Sequence, residues 1–500
     1  MRDLAKLSAA AAATAVLATT IVTPARAATT SVPATAPAQA AGISWRACPA
    51  GPGVDPRQEC ATLRVPMDHR KPGGPAISLA VSRIKTAKPA TRRGVLLIIP
   101  GGPGSPGLNR PSVQVGKLPR DVLDRYDLVG FDPRGVGQSS PVSCGLEARD
   151  LSVTRLKPYP DADGGIAENL AWSRRIAEAC ARNGGPLLRH ISTRNEARDI
   201  DRIRQALGEK KISYWGVSYG TYVGAVYATL FPGRTDRVVL DSNDDPDPRR
   251  VARQWLANYA VGVEDRFPDF AAWAAARHDE YGLGADPAAL RRTFLDLAAG
   301  LDRRPLPWPG ANPEVLDGNL LRETLLNALY ADANFPMLAT LMRAARTGAE
   351  LPPASTPPAA VMQNTAAHAG ATMCNDVAWP GSAGHYQRQV KSNRAAYPLT
   401  GGMPVNVGPC LFWPFEPAEP PVRVTSRGPA NVLLIQNLRD PSTPHSGALQ
   451  MLRAFGQRAR MVSVDSGGHG VYLANGNACG DRAVTAFLTT GHLPRHNTTC

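Results

Sequence analysis

The sequence predicts an α/β fold with a mostly parallel central sheet, helices on both faces and a large helical insertion. Three observations carry this: short apolar runs that end in glycine-rich turns, helical spacing between them, and a middle third with no evident buried strand. The run at 94–99 is apolar throughout, as a strand buried on both faces must be, and stops at Pro100-Gly101-Gly102-Pro103-Gly104. Residues 126–131 form a second such run and lead into Asp132-Pro133-Arg134-Gly135. Strands are also expected at 61–65, 76–84, 212–217, 237–240, 431–436 and 461–464. Helical periodicity falls at 196–207, 219–230, 448–455 and 478–488. Within the middle third, helices at 290–301 and 320–331 alternate with proline-rich connections such as 351–358.

A chain of 500 residues exceeds what one compact core usually uses. The pattern divides it into a core begun by 43–245, a helical cap insertion at 246–425, and a core completed by 426–500. Ahead of these, 1–27 read as an export signal: Arg2 and Lys6 precede an Ala/Val/Leu-rich stretch, and Ala25-Arg26-Ala27 offers small residues for cleavage. Residues 28–42 are Ala, Thr, Pro and Gln with little to bury, a flexible leader or propeptide. No later segment is apolar over the ~20 residues needed to span a bilayer, so no transmembrane anchor is expected. The expected location is extracellular, with the cell wall as one possible place of residence.

Apolar residues make up 43% and charged residues 20%, which excludes general disorder. The net charge is +14, but the arginines are scattered without a run of five, so a nucleic-acid partner is not expected. Eight cysteines in an exported chain favour disulfides over metal ligation: Cys48, Cys60, Cys144, Cys180, Cys374, Cys410, Cys479 and Cys500. No Cys-x-x-Cys pair occurs, and no metal is expected. Pairing of neighbours is the simplest of on the order of a hundred connectivities.

Gly216-Val217-Ser218-Tyr219-Gly220 lies between an expected strand and an expected helix, the context of a nucleophile elbow. The glycines let strand and helix backbones approach closely, which makes Ser218 the candidate nucleophile. The base and acid should follow in the order Ser, Asp, His. His469, in Ser466-Gly467-Gly468-His469-Gly470, follows a strand on a loop read as flexible; His445, His492 and His496 are less well placed. Asp440, in the loop after 431–436, is the candidate acid, and Asp241, directly after an earlier strand, is its rival. Two backbone donors are needed for a tetrahedral oxyanion: the amide of Tyr219, and that of Gly102 or, second, Gly101. Gly102-x-Gly104-x-x-Gly107 also matches a dinucleotide fingerprint, but Pro103 and Pro106 and the lack of a following helix pattern argue against it, and no cofactor is expected.

At these residues the chain resembles the secreted tripeptidyl aminopeptidase group of actinobacterial α/β-hydrolases, within the wider proline iminopeptidase-like peptidases. The resemblance runs from Trp45 to Cys500. It rests on Ile99-Pro100-Gly101-Gly102-Pro103-Gly104, Phe131-Asp132-Pro133-Arg134-Gly135-Val136-Gly137-Gln138-Ser139, the elbow, Asp440-Pro441-Ser442-Thr443-Pro444, Gly468-His469-Gly470 and the closing cysteines. Two departures stand out: Pro100 where many relatives have His, and Leu240-Asp241-Ser242 where Leu-Asp-Gly is usual. The resemblance implies an α/β-hydrolase fold and release of short peptides, tripeptides first, from a free N-terminus. An α-ammonium needs an acidic partner, for which Asp376 in the insertion is the candidate, while Thr443 would orient the acid loop. An esterase or lipase using the same triad is the alternative, and a non-catalytic cell-wall binding protein on the same scaffold is the third.

Overall fold

The structure, a computed structural model, describes residues 43–354, 356–379 and 381–500. The export signal at 1–27 and the leader at 28–42 lie outside the described residues. A ten-stranded sheet organises the described chain. In sequence order its strands are β1 (Arg46–Ala47), β2 (Glu59–Pro66), β3 (Ala76–Ile84), β4 (Gly94–Ile99), β5 (Tyr126–Phe131), β6 (Ile212–Ser218) and β7 (Thr235–Asn243). After a two-residue pair, β8 (Leu306–Pro307) and β9 (Val315–Leu316), come β10 (Val432–Arg439), β11 (Ala459–Gly467) and β12 (Thr498–Thr499). The spatial order is β1-β2-β3-β5-β4-β6-β7-β10-β11-β12, with β8 and β9 apart as a small ribbon.

From β1 to β5 the sheet is antiparallel, and from β5 through β4 to β12 it is parallel. Every residue of β4 and β5 is buried, because helices cover both faces as parallel strands require. One face packs Leu97, Ile99, Tyr214 and Leu240 against the helices Thr193–Ala206 and Tyr219–Leu230. The other packs Leu96, Trp215, Val239, Leu433 and Val462 against the helix Ala478–Thr490. This strand order with a strand–elbow–helix at its centre is the α/β-hydrolase fold.

Between β7 and β10 the chain is helical apart from the β8–β9 ribbon. The helices Arg253–Ala275, Pro287–Arg303, Gly318–Ala328 and Phe335–Thr347 share their own apolar core, including Phe267, Phe270, Phe294, Leu325, Phe335 and Met342. Asp286 opens the second of these by accepting from the amide of Ala288 at 2.9 Å, and Asp317 opens the third from Leu320 at 2.7 Å. The cysteines pair as Cys48–Cys60, Cys144–Cys180, Cys374–Cys410 and Cys479–Cys500, and none is free among the described residues. Each bridge contributes roughly 2–4 kcal/mol by restricting the unfolded chain.

The segment after β5 is a scaffold for the sheet edge. Asp132 Oδ1 accepts the amides of Gly107 and Leu108, both at 2.9 Å, and Oδ2 accepts that of Gln138 at 2.9 Å. Arg134 is wholly buried and donates to both oxygens of Asp199, at 2.7 and 2.6 Å, and to the carbonyls of Met67 and His190. His69 Nε2 lies 2.7 Å from the same carboxylate. Burial alone would raise the Asp199 carboxyl, but the Arg134 and His69 contacts outweigh it and hold the pKa below its ordinary value. Replacing Asp199 with Ala leaves a guanidinium buried without its counter-ion. A loss of about 3–5 kcal/mol is expected, read as a lower urea midpoint under non-reducing conditions.

Candidate active site

Ser218 ends β6 with φ 58° and ψ −129°, a backbone conformation that non-glycine residues rarely adopt, and the helix Tyr219–Leu230 starts immediately after it. Three glycines make this turn possible. A methyl group on Gly220 would stand 2.7 Å from the carbonyl oxygen of Ile99, one on Gly216 would collide with the backbone of Gly220, and one on Gly101 would lie 3.0 Å from Ser218 Cβ. The Pro100–Gly104 segment is thereby brought against the serine. Gly101, Gly102 and Ser218 line one cavity of about 540 Å³, together with His469, Tyr259, Tyr330, Trp215 and Asp241.

His469 presents Nδ1 to both oxygens of Asp440, each at 3.0 Å. Asp440 follows β10 and is buried; its Oδ1 also accepts the amides of Ser442 and Thr443, both at 2.9 Å, and its Oδ2 the hydroxyl of Thr443 at 3.0 Å. Burial would raise this carboxyl, but the charge and hydrogen bond of His469, with the two amides, hold it below its ordinary value. Burial would likewise lower the His469 imidazole, and the charge and hydrogen bond of Asp440 reverse that, so its pKa stands above the ordinary 6.5.

The loop carrying His469, read from sequence as flexible, is clamped. Its successive amides all find acceptors: Gly468 on Arg439 O at 3.1 Å, His469 on Tyr330 O at 2.9 Å, Gly470 on Ser242 Oγ at 2.8 Å, and Val471 and Tyr472 on the Asp241 oxygens at 2.8 and 2.9 Å. Asn437 donates to the carbonyls of Gly468 and Gly470 at 2.9 and 3.1 Å. Asp241, the rival acid, therefore spends both oxygens on loop amides and none on the imidazole. Burial pushes its carboxyl up to about 6 and that of Asp244 up to about 7. Ser242 sits at φ 60°, a conformation that favours glycine; here a serine adopts it and its hydroxyl takes the Gly470 amide.

Asp376, the sequence candidate for holding an α-ammonium, lies away from Ser218. Asp376 ends the helix Ala359–Asp376 and is buried, with Oδ1 accepting the Thr193 amide at 2.9 Å and Oδ2 accepting the Thr193 hydroxyl at 2.5 Å. It does not line the Ser218 cavity. The Thr193 hydroxyl also lies 2.9 Å from the phenol of Tyr219, whose phenol in turn donates to Glu196 at 3.1 Å, so this cluster anchors the elbow helix from beneath. Among the other histidines, His445 Nε2 faces Ser463 Oγ at 3.0 Å. Tyr330, which packs its ring edge-on to His469 with centroids 4.8 Å apart, and Tyr259, Asn437 and Gly262 were not singled out from sequence. The polar Gln436-Asn437 pair at the end of an apolar run is the signal by which Asn437 is recognisable in the sequence.

A family model described as TAP-like protein matches residues 397–500. A tripeptidyl aminopeptidase of Streptomyces lividans is 34% identical over 93% of this chain and 88% of its own length. Serine protease Hip1 of Mycobacterium tuberculosis strain H37Rv is 30% identical over 88% of this chain and 87% of its own. A protein named carboxylesterase B from Mycobacterium tuberculosis strain CDC 1551 is 30% identical over 93% and 91%. The chain is thus a serine hydrolase. It belongs to the tripeptidyl aminopeptidase family of serine peptidases.

Gly262, inside the helix Arg253–Ala275, faces the acid loop: a methyl group there would collide with Pro441 O and stand 2.8 Å from Asp440 O. Gly300, in the helix Pro287–Arg303, has open space around it. Alanine in place of glycine in a helix ordinarily stabilises by roughly 0.5–1 kcal/mol. Gly300→Ala is therefore expected to raise the Tm slightly. Gly262→Ala is expected to lower it and to slow labelling of Ser218 by a fluorophosphonate.

Proposed function

We propose that this chain is an exported serine exopeptidase that releases short peptides, tripeptides first, from free N-termini through Ser218, His469 and Asp440. The observation that carries the reading is His469, bonded to Asp440 through Nδ1 and lining the same cavity as a serine held on a strained elbow. The named activity of the Streptomyces lividans relative supports the substrate class. Four disulfides are in keeping with export, and no helix of the described residues is long and apolar enough to cross a membrane.

In the proposed reaction His469 Nε2 takes the proton of Ser218 Oγ as the oxygen attacks the scissile carbonyl carbon. Nδ1–H stays on Asp440, whose charge steadies the imidazolium; Thr443 fixes the carboxylate by two hydrogen bonds. The oxyanion takes the amides of Tyr219 and Gly102, with Gly101 the second choice for the latter. Collapse expels the amine with the proton held on His469 and leaves an acyl-enzyme. Water then attacks by the same steps and frees the peptide.

An esterase is the second reading, favoured by the relative named carboxylesterase B. Chromogenic peptides of one, two and three residues, each with free and acetylated N-termini, separate the two when offered beside short-chain esters. Turnover confined to free-amine peptides supports the exopeptidase; turnover of esters alone overturns it. Asp440→Asn should lower kcat by about 10⁴ with the fold intact. Asp241→Asn should cost less activity but reduce Tm, since it loosens the His469 loop; the opposite ranking would exchange their roles.

The imidazole must be neutral to accept the serine proton, and Asp440 raises its pKa. Activity should therefore fall as pH drops through a value above 6.5, measured as kcat/KM against pH. The residual activity of Asp440→Asn should lose its acid limb at lower pH.

A further inference from the structure

The lining of the Ser218 cavity is unevenly charged. Among the described residues its only carboxylate belongs to Asp241, and both oxygens of that group hold loop amides. Two cations, Arg110 and Lys117, also line it. The Arg110 guanidinium is half-buried and meets no carboxylate among the described residues; burial lowers its pKa. Other enclosed arginines are engaged: Arg134 pairs with Asp199 and Arg322 with Asp302, and buried Arg458 donates to the carbonyls of Ala228 and Arg427. A desolvated cation without a counter-ion is costly to keep, and its fork of donors matches a carboxylate in two parallel hydrogen bonds.

The backbone beneath Arg110 is fixed at several points. Its own amide is bonded to Gly107 O at 3.0 Å, Gly107 and Leu108 are tied to Asp132, and Ser112 is tied to Gln58 Oε1 through its amide at 3.1 Å and its hydroxyl at 2.5 Å. The side chain is thus carried by a rigid turn directly after the Pro100–Gly104 segment.

We propose that Arg110 is a specificity residue that binds a carboxylate of the substrate within the Ser218 cavity, with Lys117 at the rim adding charge. This rests on the reading of that cavity as the substrate site. The carboxylate has two possible sources, the C-terminus of a short peptide or an acidic side chain. Either one makes the enzyme prefer anionic short peptides, and a C-terminal carboxylate would also set the length of chain admitted.

The test reads binding through the rate at which a fluorophosphonate labels the nucleophile, so it does not require peptide cleavage. Ala-Ala-Ala as free acid and as C-terminal amide compete in one arm. Amidated tripeptides carrying Glu or Gln at each position in turn compete in the other. The carboxylate member of at least one pair should protect at a tenfold lower concentration, and that ratio should collapse in Arg110→Gln and recover in part in Arg110→Lys. The first arm alone responding identifies the C-terminus, and the second alone an acidic side chain. Equal protection in every pair, or a ratio that survives Arg110→Gln, overturns the proposal. Failure of the reagent to label native protein at Ser218 would instead overturn the assignment of the nucleophile.

Discussion

Most of the site depends on one constraint: the five consecutive amides of residues 468–472 are held by acceptors from three separate parts of the chain. Arg439 belongs to β10, Ser242 and Asp241 to β7, and Tyr330 to the turn after the helix Gly318–Ala328. A loop buried under other segments cannot leave its N–H groups unpaired without a cost of about 1–3 kcal/mol each. Those bonds therefore define where the imidazole sits, and they do so only when sheet and insertion are both in place. Tyr330 links the two most directly, since its carbonyl takes the His469 amide and its ring lies edge-on to the imidazole.

The acid loop is held in the same way. Asp440 binds the two amides that follow it in its own turn, a local arrangement that any Asp-Pro-Ser-Thr segment can reach. Where that turn lies is decided from outside, by Gly262 in the helix Arg253–Ala275, which has no side chain to keep the loop away. On the other side of the site, Asp132 holds the amides of Gly107 and Leu108 and so fixes the turn that follows the Pro100–Gly104 segment. Each of the converging segments is thus positioned by a partner remote in sequence, and none is free to find its place alone.

That pattern separates what the sequence disclosed from what it did not. The buried strands were legible because parallel strands covered on both faces must be apolar throughout; β4 was read with its observed limits and β6 to within one residue. The elbow was legible because its glycines are demanded by backbone approach, a local requirement. The neighbour pairing of cysteines was the simplest choice and is the one observed. The helix Arg253–Ala275 was not recognised: Pro268 lies inside it, and its buried residues divide between two cores, Trp255 packing with the elbow helix and Val263, Phe267, Phe270, Ala271 and Ala274 joining the insertion's own core. The surroundings of Asp376 were not legible: an acid in an insertion looks available for an amine, whereas both its oxygens accept from Thr193. Commitments of that kind involve residues some 180 positions apart and leave no periodic trace.

The two carboxylates that competed for the role of acid show how geometry divides labour between chemically identical groups. Asp440 has the imidazole, two amides and a hydroxyl on its oxygens, so the charged form is favoured in spite of burial. Asp241 has two amides and a more distant imidazole, and burial wins, raising it to about 6. The signs act oppositely on stability. Asp440 contributes stability above the unfolded carboxyl pKa and loses it as pH falls through its lower folded value. Asp241 and Asp244 ionise only against the preference of their surroundings, a cost that is relieved as pH falls through about 7 for Asp244 and then about 6 for Asp241. The site therefore keeps one carboxylate firmly ionised where the imidazolium would form and two weakly ionised ones close by. With Arg110 in the same cavity, that leaves the unsatisfied charge on the substrate side positive.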